Sequence, residues 1–416
     1  MGISFYDTVR INDVFSKQGW PIDEVNKSSL YHRFLQTYVQ LDSTERELFI
    51  KLSAMYRWVC LFCGDEMNYT SYEKAFIVEA KKQNKSDEYI QKCLTYAKNL
   101  TDKRLPVIYD EQHFSLLVGM RLDFLLSISN GQRYFYRYFT IPKSNGKLRR
   151  IAEPLPMLKE VQYYILRNIL IKVPCSIYAK AYKAGASLKA NAKFHRNQPV
   201  LVKLDIKDYF PSLHEARVYQ LFHNSFGYSK SLSMLLTKLC TLNKGLPQGA
   251  PTSPYLSNLL TTDMDDAIYQ FCASNGKLRY TRYADDISIS GEMDPSHVIS
   301  EVSKIVATNN LKINKDKITV VRQHDRQIVT GVVVNEKLQA PKDYRKSIRL
   351  EMHYCQKYGI DSHLQRRFET VEKIDNIKYC QSMLGKINYC LQLNGKDVEM
   401  QKYRDYMCEQ LQSLKH

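Results

Sequence analysis

Three observations predict an α+β fold for this sequence. Short alternating runs of strand character sit in the middle of the chain, stretches with helical spacing separate and flank them, and the carboxyl-terminal end reads as helix alone. A chain of 416 residues has room for two or three domains with cores of their own.

Residues 1–105 alternate helical patterns with polar breaks such as Asn84-Lys85-Ser86-Asp87, and they predict a helical amino-terminal extension. No catalytic constellation stands in it. A docking surface for an effector protein or a second copy of the chain fits it as well as a plain structural cap does. Within it Cys60 and Cys63 have metal-ligand spacing, yet their setting is an apolar helical run and no second pair follows. Buried free thiols are expected there rather than zinc, and ten cysteines scattered without a framework point to a reducing compartment.

A helix is expected over residues 113–129, then a hairpin over 134–151 that turns at Ser144-Asn145-Gly146 with basic residues on both sides. Its tip could grip a triphosphate through Arg149 or Arg150, and a solvated basic hairpin explains the residues equally well. An amphipathic helix follows over 158–171. The apolar strand Val200-Leu201-Val202-Lys203-Leu204-Asp205 ends on a carboxylate and runs into Ile206-Lys207-Asp208-Tyr209-Phe210, where an aromatic could exclude a ribose 2′ hydroxyl or simply pack. Residues 244–254 are dense in turn formers, so they present Gln248 to a ligand or cap the next helix. That helix spans 256–268, and its acids Asp265 and Asp266 read as a solvated face.

The hairpin over 279–291 places Ile287 and Ile289 on one side and Ser288 and Ser290 on the other, with Asp285 and Asp286 in the turn. Adjacent acids repel one another and gain nothing from a core, so their natural partner is a divalent cation with oxygen ligands. With Asp205 as a third carboxylate, the set suits two ions roughly 3.5–4 Å apart of the kind that serve phosphoryl transfer. The net charge of +17 and the 30 tyrosines favour a polyanionic partner with bases to stack. No run of the sequence approaches a membrane span, and a soluble cytoplasmic protein is expected.

Asp205 with Tyr209-Phe210, the loop Leu246-Pro247-Gln248-Gly249-Ala250-Pro251-Thr252-Ser253-Pro254, and Tyr283-Ala284-Asp285-Asp286 resemble the successive palm motifs of reverse transcriptases, in order. The hairpin from Ile141 through Lys143 to Arg149 resembles the fingers motif of that family. Asn191-Ala192-Lys193-Phe194-His195 and Val329-Thr330-Gly331 resemble signatures of the bacterial retron subgroup. The resemblance implies a right-hand polymerase: an extension over 1–105, fingers over 106–200, a palm over 201–340 with part of the fingers inserted near 215–250, and a helical thumb over 341–416.

It also implies roles. Asp205, Asp285 and Asp286, with Ile206 beside them, would bind two Mg²⁺ ions, for which Mn²⁺ could substitute, and Lys317 would help protonate pyrophosphate, although an exposed turn lysine reads the same way. Lys143, Arg149, Asp208, Tyr209, Phe210 as sugar gate and Gln248 would meet the deoxynucleoside triphosphate. Asn191, His195, Val329, Thr330, Gly331, Lys342, Arg345 and Arg349 would contact RNA or primer. The partners implied are a structured noncoding RNA serving as template and primer, an RNA–DNA hybrid and the nucleotides, in defence against phage. Two alternatives stand beside this: another bacterial defence reverse transcriptase that makes repetitive or untemplated DNA, and an RNA-binding scaffold with a vestigial site. The intact acidic trio argues against the scaffold.

Overall fold

The computed structural model describes residues 69–142, 146, 148–276, 278–367 and 376–414. Most of the expected amino-terminal extension, with Cys60 and Cys63, therefore lies outside the described residues, as does Lys143. The chain forms two compact units, one from the residues up to Cys175 with Asp208–Leu260, the other from Ser176–Lys207 with Thr261–His416. The cysteines among the described residues are all unbridged, and no described helix is long and apolar enough to cross a membrane.

In the first unit, helices Tyr69–Lys82 and Asp87–Asp102 precede two short helices where one was expected, Glu111–Val118 and Leu122–Asn130. Gly119 divides them: it takes φ 67°, a left-handed position that closes the first helix. Strands β1 (Tyr136–Pro142) and β2 (Leu148–Pro154) form an antiparallel ribbon, with Pro142 opposite Leu148 at the tip. Helix Lys230–Cys240 packs on Leu122–Asn130 and Pro156–Asn168, burying Leu125, Ile128, Leu158, Ile165, Leu232 and Leu236. Gln162 is buried in that core, where its amide donates to the Tyr136 hydroxyl at 2.9 Å and the Leu239 carbonyl at 2.8 Å.

The glycine-rich loop of this unit is clamped by main chain on two sides. Leu246 N donates to Phe210 O at 3.1 Å, and Ala152 N of β2 donates to Gln248 O at 2.8 Å. Neither loop glycine has room for a side chain. A Cβ on Gly245 would collide with the Pro211 carbonyl, and one on Gly249, whose φ is 131°, would stand 2.5 Å from the Ala152 carbonyl.

The second unit is built on a four-stranded antiparallel sheet in the order β4-β5-β3-β6, from β3 (Val200–Asp205), β4 (Arg279–Tyr283), β5 (Asp286–Gly291) and β6 (Thr319–Arg322). Alternation splits its side chains into two sets. Val202, Leu204, Ile287 and Ile289 form the apolar set, and helices Thr262–Ser274 and Pro295–Thr308 pack against the sheet with Met264, Ile268, Val298 and Val302 buried. Asp205, Lys203, Ser288, Ser290 and Asp286 form the other. The helix expected over 256–268 is broken at Thr261 into Ser253–Leu260 and Thr262–Ser274. The break turns Asp265 inward, so its predicted solvated position is wrong; Asp266 remains exposed.

The rest of this unit carries a small hairpin, β7 (Ile328–Val329) and β8 (Val332–Val333), and helices Lys342–Tyr358, Ile360–Arg367, Asn376–Leu393 and Val398–Ser413. These share one hydrophobic cluster, in which Val329, Val332, Met352 and Ile387 join Leu201 of β3. Replacing Gly249 by Ala should lower the stability of the first unit by roughly 1–3 kcal/mol, since the added carbon meets rigid backbone in a conformation alanine disfavours. Hydrogen exchange at the β2 amides, Ala152 N above all, would record it as faster exchange.

Candidate active site

The β4–β5 hairpin is tight. Tyr283 at the end of β4 pairs with Asp286 at the start of β5, so only Ala284 and Asp285 connect the strands, and Ala284 adopts φ 58°. Asp205, the last residue of β3, lies opposite Asp286 in the register. The main chain on either side is fixed: Ile206 N donates to Asp285 O at 3.0 Å, and Asn314 N donates to Asp205 O at 2.7 Å. Asp205 is thus brought to the same end of the sheet as the adjacent Asp285 and Asp286, far from it in sequence.

Their charges act on one another. Burial, then the charge of Asp285, pushes the Asp286 carboxyl above the usual carboxylate range; Asp205 adds to the rise, while Lys203 and Lys317 pull against it. Lys317, on the 3₁₀ turn Lys315–Lys317, donates from Nζ to Asp205 Oδ1 at 2.7 Å. That bond holds the ammonium above its ordinary range, and the charges of Asp205, Asp285 and Asp286 reinforce it.

A hard divalent cation fits this donor set. It offers only carboxylate and main-chain oxygen, and one exposed ammonium is its nearest compensation. Among the described residues no three Asp, Glu, His or Cys side chains yet close on a single point as a finished cage. Lys317 holds one of the Asp205 oxygens, so a cation bound there would share or displace that ammonium.

Sequence reasoning missed Arg282. Alternation puts it with Tyr280 in the apolar set, opposite Ile287, where a lone guanidinium would be prohibitively costly. It is paired with Asp265: Nε to Oδ1 and Nη2 to Oδ2, both at 2.7 Å, with both side chains 0% exposed. The inward position of an arginine in an alternating strand was the available signal that a buried acid must face it.

Asn191 and His195, expected to touch RNA, are buried instead at 1% and 0% exposure. His195 bridges the two hairpin strands, with Nδ1 2.7 Å from the Ser290 hydroxyl of β5 and Nε2 2.7 Å from the Thr281 hydroxyl of β4. Thr281 donates its proton to Asn191 Oδ1 at 2.6 Å, so it must accept from His195 Nε2–H, and Nδ1 accepts from Ser290. Asn191 Nδ2 continues the relay to Thr330 Oγ1 at 3.4 Å, in the β7–β8 turn.

Among the other expected contacts, Val329 is buried in the hydrophobic cluster, while Gly331 at φ 81° and Lys342 are exposed. Arg345 is half-buried with no partner at Nε. Arg349 is neutralised by Glu399, with Nε at 2.8 and 2.9 Å and Nη2 at 2.7 Å from its oxygens. In the first unit Arg149 and Asp208 are exposed, and Phe210 and Gln248 are half-buried. Tyr209, expected at the nucleotide, is only 3% exposed and donates to Ser257 O at 3.3 Å, so it is a packing residue.

Residues 141–383 match the reverse transcriptase (RNA-dependent DNA polymerase) family. The Retron Ec86 reverse transcriptase of Escherichia coli is 31% identical over 299 residues, covering 70% of this chain and 91% of that protein. The Retron Mx162 enzyme of Myxococcus xanthus is 34% identical over 253 residues, covering 52% of each chain. The chain belongs to the reverse transcriptase family, whose fold is the right-hand polymerase, and within it to the bacterial retron type. It is an RNA-directed DNA polymerase of a family that uses divalent metal ions.

The buried relay gives a pH signature. Burial lowers the His195 imidazole to about 3, so the folded protein keeps it neutral while the unfolded chain takes up a proton near the ordinary value of about 6.5. Stability from this group is therefore complete above pH 6.5 and drains as pH falls toward 3, at up to about 1.4 kcal/mol per unit. Urea midpoints between pH 4.5 and 7.5 should fall more steeply for the wild type than for His195→Gln, which keeps the shape and loses the titration.

Proposed function

We propose that Asp205, Asp285 and Asp286 form the metal site at which this enzyme copies a structured noncoding RNA into DNA, with Mg²⁺ as the resident ion and Mn²⁺ able to replace it. The single observation that supports this most is the β3–β5 register, which seats Asp205 opposite Asp286 with Asp285 adjoining. Bound there, the ions would activate the primer hydroxyl and offset charge on the leaving pyrophosphate. The hydroxyl oxygen bonds to the α-phosphorus of a deoxynucleoside triphosphate, the bond to pyrophosphate breaks, and the hydroxyl proton is released. Lys317, held at Asp205 by its own hydrogen bond, has the proton to give to the pyrophosphate.

By the family resemblance, Arg149, Asp208, Phe210 and Gln248 serve the nucleotide together with Lys143. Thr330, Gly331, Lys342 and Arg345 are the residues left to meet RNA, because Asn191, His195 and Val329 face inward and Arg349 is paired. The net charge of +17 suits an RNA–DNA hybrid held by its backbone. The setting is the bacterial cytoplasm, in defence against phage.

Primer extension on an RNA template tests the site. Asp285→Ala with Asp286→Ala should cost at least about a thousandfold in rate, as expected where carboxylate positioning of metal carries the barrier. An inert wild type would favour a scaffold. Sequencing of copurified nucleic acid should return one discrete DNA joined to a noncoding RNA, whereas long repetitive DNA would indicate a different defence enzyme.

A further inference from the structure

The peptide groups on both sides of Asp285 are tied down, and by different means. The one that follows it is held through the Asp285 carbonyl, which accepts from Ile206 N at 3.0 Å. The one that precedes it is held through the Ala284 carbonyl, which accepts from Arg282 Nη1 at 3.0 Å. Arg282 has little freedom in this. Its guanidinium is planar, and Nε and Nη2 are already engaged on the two oxygens of Asp265, so Nη1 can aim in one direction only. Asp265 is fixed in turn by the Tyr280 hydroxyl, which donates to Oδ1 at 2.6 Å.

We infer that the buried Asp265–Arg282 pair is a positioning device for the catalytic turn, setting the plane of the peptide that leads into Asp285 and so the direction of the Asp285 carboxylate. Ala284 gives the pair something to hold. It occupies the left-handed region at φ 58°, which a residue with a Cβ disfavours, and a free turn would tend to relax out of it. A core has no need of such an arrangement, since replacing a buried ion pair by apolar side chains is often neutral or stabilising. What apolar side chains could not supply is the third, directed hydrogen bond to the turn.

The inference rests on Asp285 and Asp286 serving the reacting metals, and one experiment separates the two ideas. Primer extension by the full chain on an RNA template would be followed for the wild type, Arg282→Lys, Tyr280→Phe and Asp285→Ala, with near-ultraviolet circular dichroism giving the folded fraction. Lysine keeps the charge opposite Asp265 and loses the fork. For Arg282→Lys, kcat per folded molecule should fall about 10- to 100-fold, the scale of a small misplacement of reacting groups, with KM for the nucleotide within about threefold. The Mg²⁺ concentration for half-maximal rate should rise severalfold. Tyr280→Phe, which removes only the hydroxyl orienting Asp265, should move the same quantities in the same direction by about two- to fivefold. It decides the matter if Arg282→Lys does not fold. Wild-type kcat and Mg²⁺ requirement in a folded variant, even one with a lowered melting point, would overturn the inference by showing that the pair only supports the core. Persistent extension by Asp285→Ala would instead overturn the metal-site assignment itself.

Discussion

The pairing of Asp205 with Asp286 across β3 and β5 is the constraint on which the site depends, because a sheet left to its own preferences would avoid it. Like charges directly opposite one another destabilise an antiparallel pair. The register holds because it is decided elsewhere, by Val202 and Leu204 against Ile289 and Ile287. A slip of one residue would carry Asp205 into that apolar set and expose the leucine. Hydrophobic burial thus enforces a local electrostatic conflict, and the Asp286 carboxyl, raised first by its own burial and then by Asp285, takes a smaller further rise from Asp205.

The compensation already present is lopsided. Lys317 neutralises Asp205 from a side chain that is 56% exposed, in a position where water screens the pair and its net worth is small. Asp286 is half-buried, and the lysine reaches it only through space. A flexible ammonium that satisfies one of three carboxylates makes a weak counterion and an available proton donor. Both properties fit the metal site and the charged leaving group proposed for these residues.

Much of this was legible in the sequence, and the parts that were not share a cause. Strand alternation located β3 and the β4–β5 hairpin, because period-2 patterning is a local signal. Asp205 was joined to Asp285 and Asp286 by carboxylate chemistry and the family resemblance, and Asp286, expected in the turn, is the first residue of β5. Asp265 was misplaced because a single break at Thr261 resets the phase of the following helix, and its spacing before the break says nothing about its direction after it. The partners of Arg349 and Arg282 lie 50 and 17 residues away. No local pattern reports such pairs. Asn191 and His195 were recognised as a signature and given the wrong work: polar residues in a basic protein invite an RNA contact, whereas both are spent inside the fold.

That misreading points to how the hairpin is made rigid. Its two faces are secured by polar groups of different kinds. On one side His195 bonds Thr281 and Ser290, joining β4 to β5 and, through Asn191, to the Thr330 turn. On the other, Arg282 and Asp265 hold the connection between the strands. A two-stranded turn is ordinarily among the looser parts of a sheet. With every member of both networks bonded, the low dielectric that makes a buried polar group costly also makes each of these bonds stronger and more directional. The role proposed for these carboxylates depends on their not moving, and the polar groups around β4 and β5 supply directed bonds that apolar packing, which has no preferred direction, could not.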